Sequence, residues 1–71
     1  HLDLDVLDQR EAVWNQWASP SGTSLLNLLE AIAEIRKYGK VCALGVASYD
    51  PAVDPNWNAL LAAVLAINTL L

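Results

Sequence analysis

The chain has 71 residues, 55% of them hydrophobic and 17% charged, with a net charge of −4. This length fits one small domain at most, and its stability would be marginal because a short chain buries little surface. Four basic residues against eight acidic ones argue against a nucleic-acid binder, which carries a basic stripe.

Hydropathy and cysteine content bear on membrane insertion, on cellular location and on contacts with other chains. The longest unbroken apolar run, residues 59–67, is far shorter than the roughly 20 residues that a membrane span needs. A single cysteine, Cys42, and no secretory signal favour the cytoplasm. The apolar share is high for so small an interior, which predicts that some apolar surface meets another chain or chain segment.

Residues 1–7 alternate polar and apolar side chains, which is the period of a strand. Asp3 and Asp5 would lie on one face and Leu2 and Leu4 on the other. Residues 8–23 form a connector that ends in turn-forming residues.

Residues 24–38 are predicted to form a helix. Ser24 is a suitable N-cap, and Gly39 is a suitable stop after the last turn. The residues of the predicted apolar stripe are Leu25, Leu28, Leu29, Ile32 and Ile35.

Residues 41–48 are predicted to form a second strand. Its apolar residues are continuous rather than alternating, which is typical of a strand buried on both faces. Cys42 lies within it and is therefore interpreted as a core residue rather than a reactive thiol.

Residues 55–71 are predicted to form a second helix, with Asp54 as N-cap and Pro55 at its first position. The helix has no charged residue and two apolar faces. We expect the bulky face to be covered and the alanine face to stay exposed. The bulky face comprises Leu60, Leu61, Val64, Leu65, Ile67 and Leu71, and the alanine face comprises Ala59, Ala62, Ala63 and Ala66.

Strand, helix, strand and helix in this order predict an α/β fold with two parallel strands. Two parallel strands alone make a poor sheet, since parallel sheets are normally covered on both faces. Further strands are expected from the missing N-terminal part of a longer chain or from other copies of this one.

Asp3 and Asp5 are the strongest candidates for chemistry. Two carboxylates two residues apart on a strand point to the same side, where they could hold a hard cation. They lie near the carboxyl end of the strand, where α/β sheets bind ligands. Asp8 could orient one of the side chains that bind the cation. The alternative is a pair of solvated aspartates on an edge strand.

The segment from His1 to Asp8 resembles the last metal-binding segment of the arginase and agmatinase (ureohydrolase) family. The order of the later segments is also similar: a Trp- and Pro-containing connector, a turn at Gly22, a helix from Ser24, and a strand ending in Ala47-Ser48-Tyr49-Asp50-Pro51 before an Ala/Leu-rich helix. The resemblance covers essentially the whole chain, which would correspond to about the last quarter of a family member.

The resemblance implies a βαβα fragment of a three-layer, doubly wound, mainly parallel sheet. It implies two Mn²⁺ ions in the complete protein, with Asp3 and Asp5 as one pair of ligands and Asp8 behind them. The reaction implied is hydrolysis of guanidino or amidino C–N bonds. The remaining ligands of the family belong to segments outside this chain.

The sequence departs from the family pattern at the substrate side. Arginases place a guanidinium-binding glutamate where this chain has Ser48, and a neutral hydroxyl cannot pair bidentately with a cation. Asp8-Gln9 also stands where the family usually has Asp-Pro, and Ser21-Gly22-Thr23 stands where it usually has a Gly-Gly turn. The 71-residue chain is therefore expected to be inactive by itself. The alternative function is a non-catalytic, self-associating α/β protein, most simply a dimer.

Overall fold

A computed structural model describes all 71 residues. Its regular elements are strand β1 (Leu2–Asp3), helix α1 (Leu25–Arg36), strand β2 (Val46–Ala47) and helix α2 (Asn58–Leu70), with 3-10 turns at Leu4–Val6 and Pro51–Val53. Strands β1 and β2 pair in parallel, with Leu2 opposite Val46 and Asp3 opposite Ala47. The predicted mixed α/β order and parallel pairing are confirmed.

Both strands are shorter than predicted. β1 ends at Asp3 because the Asp3 carboxylate accepts the Asp5 N–H at 2.9 Å and begins a 3-10 turn, instead of the chain staying extended to residue 7. β2 covers only the end of the predicted strand 41–48, since β1 offers a partner for two residues only. No residue from 41 to 47 is buried, and Cys42 is exposed. The predictions of a doubly buried strand and a core cysteine are therefore wrong for this chain.

Helix α1 forms as predicted, within two residues at its end. The Ser24 hydroxyl accepts the Asn27 N–H at 3.1 Å, which is a standard N-cap bond. Leu28 and Ile32 of its apolar stripe are buried against α2. Ile35, at the end of the stripe, is 60% exposed.

Helix α2 begins later than predicted because Trp57 has a φ of 59°, in the left-handed region, so regular helix starts only at Asn58. Asp54 nevertheless caps the helix as expected, since its carboxylate accepts the N–H groups of Ala59 and Leu60 at 3.1 and 3.0 Å. The residue predicted at the first helical position, Pro55, lies in the preceding turn.

The predicted orientation of α2 is reversed. Its alanine face is buried, with exposures of 0–7% at Ala59, Ala62, Ala63 and Ala66, whereas Leu60, Leu61, Val64 and Leu65 are 39–58% exposed. Small side chains allow two helices to approach closely, which explains why α1 packs on this face. Neither helix is long and apolar enough to cross a membrane.

The connector, residues 8–23, packs under the sheet although it has neither helix nor strand. Its Asp8 N–H donates to the Thr23 carbonyl and its Gln9 N–H to the Ser19 carbonyl, at 2.9 and 2.7 Å. Trp14 is fully buried with Leu4 and Leu7 in the core. The connector therefore contributes Ala12 and Trp14 to the core, beside the six core residues of the two helices.

Candidate functional site

Asp3 and Asp5 lie at the carboxyl end of β1, and both are exposed. Asp3 is the last residue of the strand and Asp5 lies in the 3-10 turn, so the two do not share a strand face as predicted. The Ser48 hydroxyl beside Asp3, and then the Asp5 N–H, lower the pKa of the Asp3 carboxyl below its ordinary value. Asp3 is therefore an anion at neutral pH.

The Asp5 carboxylate is held by two side chains of the connector. Its Oδ1 accepts the indole N–H of Trp14 at 2.6 Å and the Asn15 amide at 3.0 Å. The Asp5 Oδ2 accepts no hydrogen bond from the chain and remains available to a ligand. Sequence reasoning did not find Trp14 and Asn15 as site residues, because no spacing pattern links a connector residue to a strand end.

Ser48 follows β2 directly and completes the site from the neighbouring strand. Its φ of 76° is in the left-handed region, which is uncommon for a non-glycine residue. The Asn15 amide donates to its carbonyl at 2.9 Å. The structure thus brings together Asp3, Asp5 and Ser48, the three residues singled out from sequence for the metal and substrate sides.

The Asp8 carboxylate forms an ion pair with Arg10. This carboxylate is 3% exposed and accepts the Arg10 guanidinium at 3.0 and 3.2 Å and the Arg10 main-chain N–H at 2.8 Å. The Arg10 side chain, and then its N–H, lower the pKa of Asp8, while Asp8 raises the pKa of Arg10. No hydrogen bond joins Asp8 to Asp3 or Asp5, so the carboxylate is bound to Arg10 rather than turned toward the pair.

The residues present fit part of a metal site. Carboxylate oxygens are the donors that hard cations such as Mn²⁺ prefer, and Asp3 and Asp5 offer two at one strand end. No group of three or more His, Cys, Asp and Glu side chains is placed to hold a metal ion. A cation bound by this pair would take its other ligands from water or from another segment.

Comparisons of the chain with protein-family models, with curated proteins and with solved structures found no match. The resemblance to ureohydrolases rests on the sequence alone, and what it implies about function is a proposal.

Proposed function

We propose that the chain is the closing segment of an arginase-like binuclear metallohydrolase, in which Asp3 and Asp5 are metal ligands and Ser48 lies on the substrate side. The observation that carries the proposal is the meeting of these three residues at the carboxyl ends of two parallel strands. Ligands of open α/β sheets bind at this end.

The exposed apolar surfaces support a larger parent fold. The face of α2 opposite the core and the run of residues 41–47 are both open. In a three-layer, doubly wound sheet, further strands and helices would cover such surfaces. The same missing segments would bring the remaining metal ligands.

Each residue of the site has a distinct role in this proposal. Asp3 and Asp5 would hold Mn²⁺ through carboxylate oxygens, and Asp5 is kept in place by its two connector donors. When bound, a pair of such ions would supply a nucleophile from water at neutral pH and a clamp on the reacting centre. Ser48 offers one hydroxyl to the substrate, which cannot form the paired hydrogen bonds that a carboxylate gives a guanidinium.

Metal binding can be tested on the 71-residue chain by NMR, because paramagnetic Mn²⁺ broadens the amide resonances near it even when it binds weakly. We expect the amides of Asp3, Asp5 and Ser48 to broaden first. Asp3→Asn and Asp5→Asn should abolish this selectivity, whereas Glu30→Gln, which removes an exposed charge from α1, should leave it unchanged.

Broadening that is spread over all acidic residues, or that survives Asp3→Asn, would count against the proposed ligands. Affinity should be weak, since two carboxylates leave most of the coordination shell to water. Micromolar or tighter binding by calorimetry, lost on Asp3→Ala, would show that the site needs no other segment.

Catalysis by the chain alone is not expected. It contributes two ligands and carries Ser48 at the position of the guanidinium-binding residue, so arginine and agmatine should release no urea with or without Mn²⁺. Reproducible turnover that disappears in Asp5→Ala would overturn this part of the proposal.

A second candidate function, self-association, is favoured by the outer face of α2. We define this face by its exposed apolar residues Trp57, Leu60, Leu61, Val64 and Leu65, whose exposures are 39–69%. Helix α2 carries no charge, so two copies of a chain of net charge −4 could meet there without bringing like charges together. A second copy of this chain is therefore the proposed occupant in this alternative.

Light scattering tests this alternative. Leu61→Glu should convert a dimer to a monomer without unfolding it, because Leu61 is 58% exposed. The matched control is Leu26→Glu, which changes a leucine that is 66% exposed on α1 and should leave the mass unchanged. A monomeric wild-type chain at concentrations of about 100 μM or above would exclude a dimer of moderate affinity.

A further inference from the structure

The Asn15 side chain joins the ends of the two strands. Its amide nitrogen donates both to Asp5 Oδ1 at 3.0 Å and to the Ser48 carbonyl at 2.9 Å, and its oxygen accepts the Trp17 N–H at 2.7 Å. A carboxylate and a carbonyl only accept, and a main-chain N–H only donates. All three bonds therefore require the same orientation of the amide, which fixes it.

Trp14 reinforces this connection through two different groups. Its indole N–H donates to Asp5 Oδ1 at 2.6 Å, and its carbonyl accepts the Asp50 N–H at 2.7 Å. The Trp14 ring is fully buried and cannot move independently of the core. Trp14 and Asn15, which we call the Trp14–Asn15 link, thus attach to the chain just after β1 and just after β2.

The Asp3 carboxylate also joins the two residues, since it accepts the Asp5 N–H at 2.9 Å and lies beside the Ser48 hydroxyl, but it does not hold the Asp5 carboxylate. Strand pairing ends at Asp3 and Ala47, one residue before Ser48 and two before Asp5. Ser48 also holds a left-handed conformation, φ 76°, which is unfavourable for a non-glycine residue unless its surroundings stabilise it. The bond from Asn15 to the Ser48 carbonyl is one such stabilising contact.

We propose that Asn15 is a positioning residue of the metal site, which holds the Asp5 carboxylate and Ser48 in one fixed arrangement; this rests on the proposed function of Asp5 as a ligand. With Oδ1 occupied by the Trp14–Asn15 link, Asp5 presents Oδ2 to the cation. The same amide sets where the substrate-side residue lies relative to that oxygen.

The test uses the 71-residue chain with MnCl₂ as the probe and amide broadening as the measurement. In the wild type, the amides of Asp5 and Ser48 should both broaden, and the ratio of their half-broadening Mn²⁺ concentrations is the reference. In Asn15→Ala, the concentration needed at Asp5 should rise about tenfold, the lower end of what losing a partner that orients a metal ligand costs in affinity. Relative to Asp5, the Ser48 amide should then broaden less than it does in the wild type. Gln16→Ala, an exposed neighbour without side-chain hydrogen bonds, is the matched control.

The separation between Asp5 and Ser48 is the informative readout, because a general loss of stability would change both amides together. Wild-type profiles in Asn15→Ala would overturn the inference and leave the proposed function standing. Absence of broadening at Asp3 and Asp5 in the wild type would overturn the proposed function and the inference with it.

If the NMR spectrum shows that Asn15→Ala is unfolded, the comparison is made in a Ser48→Gly background. Glycine adopts a φ of 76° without steric cost, so this background relieves the strain at residue 48. Asn15→Ala/Ser48→Gly should then need about tenfold more Mn²⁺ for half broadening at Asp5 than Ser48→Gly alone. Equal concentrations for the two chains would overturn the inference.

Discussion

The connector and the apolar run of residues 41–47 differ in a way that their sequences do not indicate. The connector has neither helix nor strand, yet it buries Trp14 completely and Asp8 almost completely. The run of residues 41–47 is nearly all apolar, yet none of its residues is buried. An irregular segment is therefore partly buried, whereas an apolar segment of the same small molecule has no buried residue.

The difference in burial follows from the hydrogen-bonding and packing partners that each segment has. The connector satisfies its polar groups locally: the Asp8 carboxylate bonds Arg10 and the Trp14 indole bonds Asp5. Buried polar groups are tolerated when they are hydrogen-bonded. The apolar run has only the two residues of β1 to pair with and no second layer on its other side. Burial follows the available neighbours rather than hydropathy.

Trp14→Ala gives the largest expected effect on this comparison. It removes a fully buried aromatic ring, which typically lowers the free energy of unfolding by about 3–5 kcal/mol. The control is Trp17→Ala, three residues along the same connector, where the side chain is 78% exposed and the expected change is within about 0.5 kcal/mol. Urea unfolding followed by circular dichroism measures both; equal losses would mean that the connector is not part of the core.

Gly22→Ala should cause the second-largest loss in the free energy of unfolding. A β-carbon at Gly22 would overlap the Leu7 carbonyl carbon and the Asp8 nitrogen, so main chain would have to shift, at a cost of about 3 kcal/mol. Gly39→Ala, where nothing lies within 4 Å, should instead gain about 0.4–1 kcal/mol by restricting the unfolded chain. Thermal melts of the two variants should move in opposite directions.

Asp54 provides a pH-dependent test of whether hydrogen bonds stabilise a buried polar group in this fold. Burial by itself would raise its pKa, but the N–H groups of Ala59 and Leu60 and the Tyr49 hydroxyl outweigh burial, and the pKa is lowered. A lowered native pKa stabilises the fold above the unfolded value of about 3.9, and this stability is lost as the pH falls through the native pKa.

Asp54→Asn should therefore lower the unfolding free energy by about 1 kcal/mol at pH 7 and less at pH 3. The control is Asp50→Asn, an exposed residue whose carboxylate bonds only the Ala52 N–H. A cost of Asp54→Asn that does not shrink in acid would contradict an ionised cap.

Cys42→Ser should have the smallest effect, within about 0.5 kcal/mol, because the side chain is exposed. The Cys42 thiol should also react with an aromatic disulfide reagent nearly as fast in the folded chain as in urea. Strong protection of the thiol would indicate that residues 41–47 are covered in solution, as a second copy on that side would do.

The ends of β1 and β2 show how far sequence reasoning reached in the candidate site. Alternation placed Asp3 and Asp5 at a strand end, and the resemblance placed Ser48 on the adjacent strand; these positions follow from local periodicity and chain order. Trp14 and Asn15 could not be found in this way. Their hydrogen bonds to Asp5 span nine and ten residues and exist only because the connector folds back under the sheet.

Ala63 illustrates the same limit for packing. The sequence favoured an exposed alanine face as the dimer contact, but Ala63 is only 7% exposed, so Ala63→Glu should unfold the chain. Both faces of α2 are apolar, so hydropathy does not distinguish them. The choice depends on how closely α1 can approach, which is a property of two helices together.

Local sequence was enough to predict α1 with its Ser24 cap, the capping of α2 by Asp54, the parallel order of the strands and the placement of Asp3 in the first strand. Each depends on interactions between residues near in sequence or on the order of the elements. Only the tertiary structure decided which face of α2 is buried, that Asp8 bonds Arg10, and that the Trp14–Asn15 link holds Asp5 near Ser48. The physical reason is that close packing and the pairing of buried polar groups depend on which surfaces meet, and a one-dimensional pattern does not encode the distances between them.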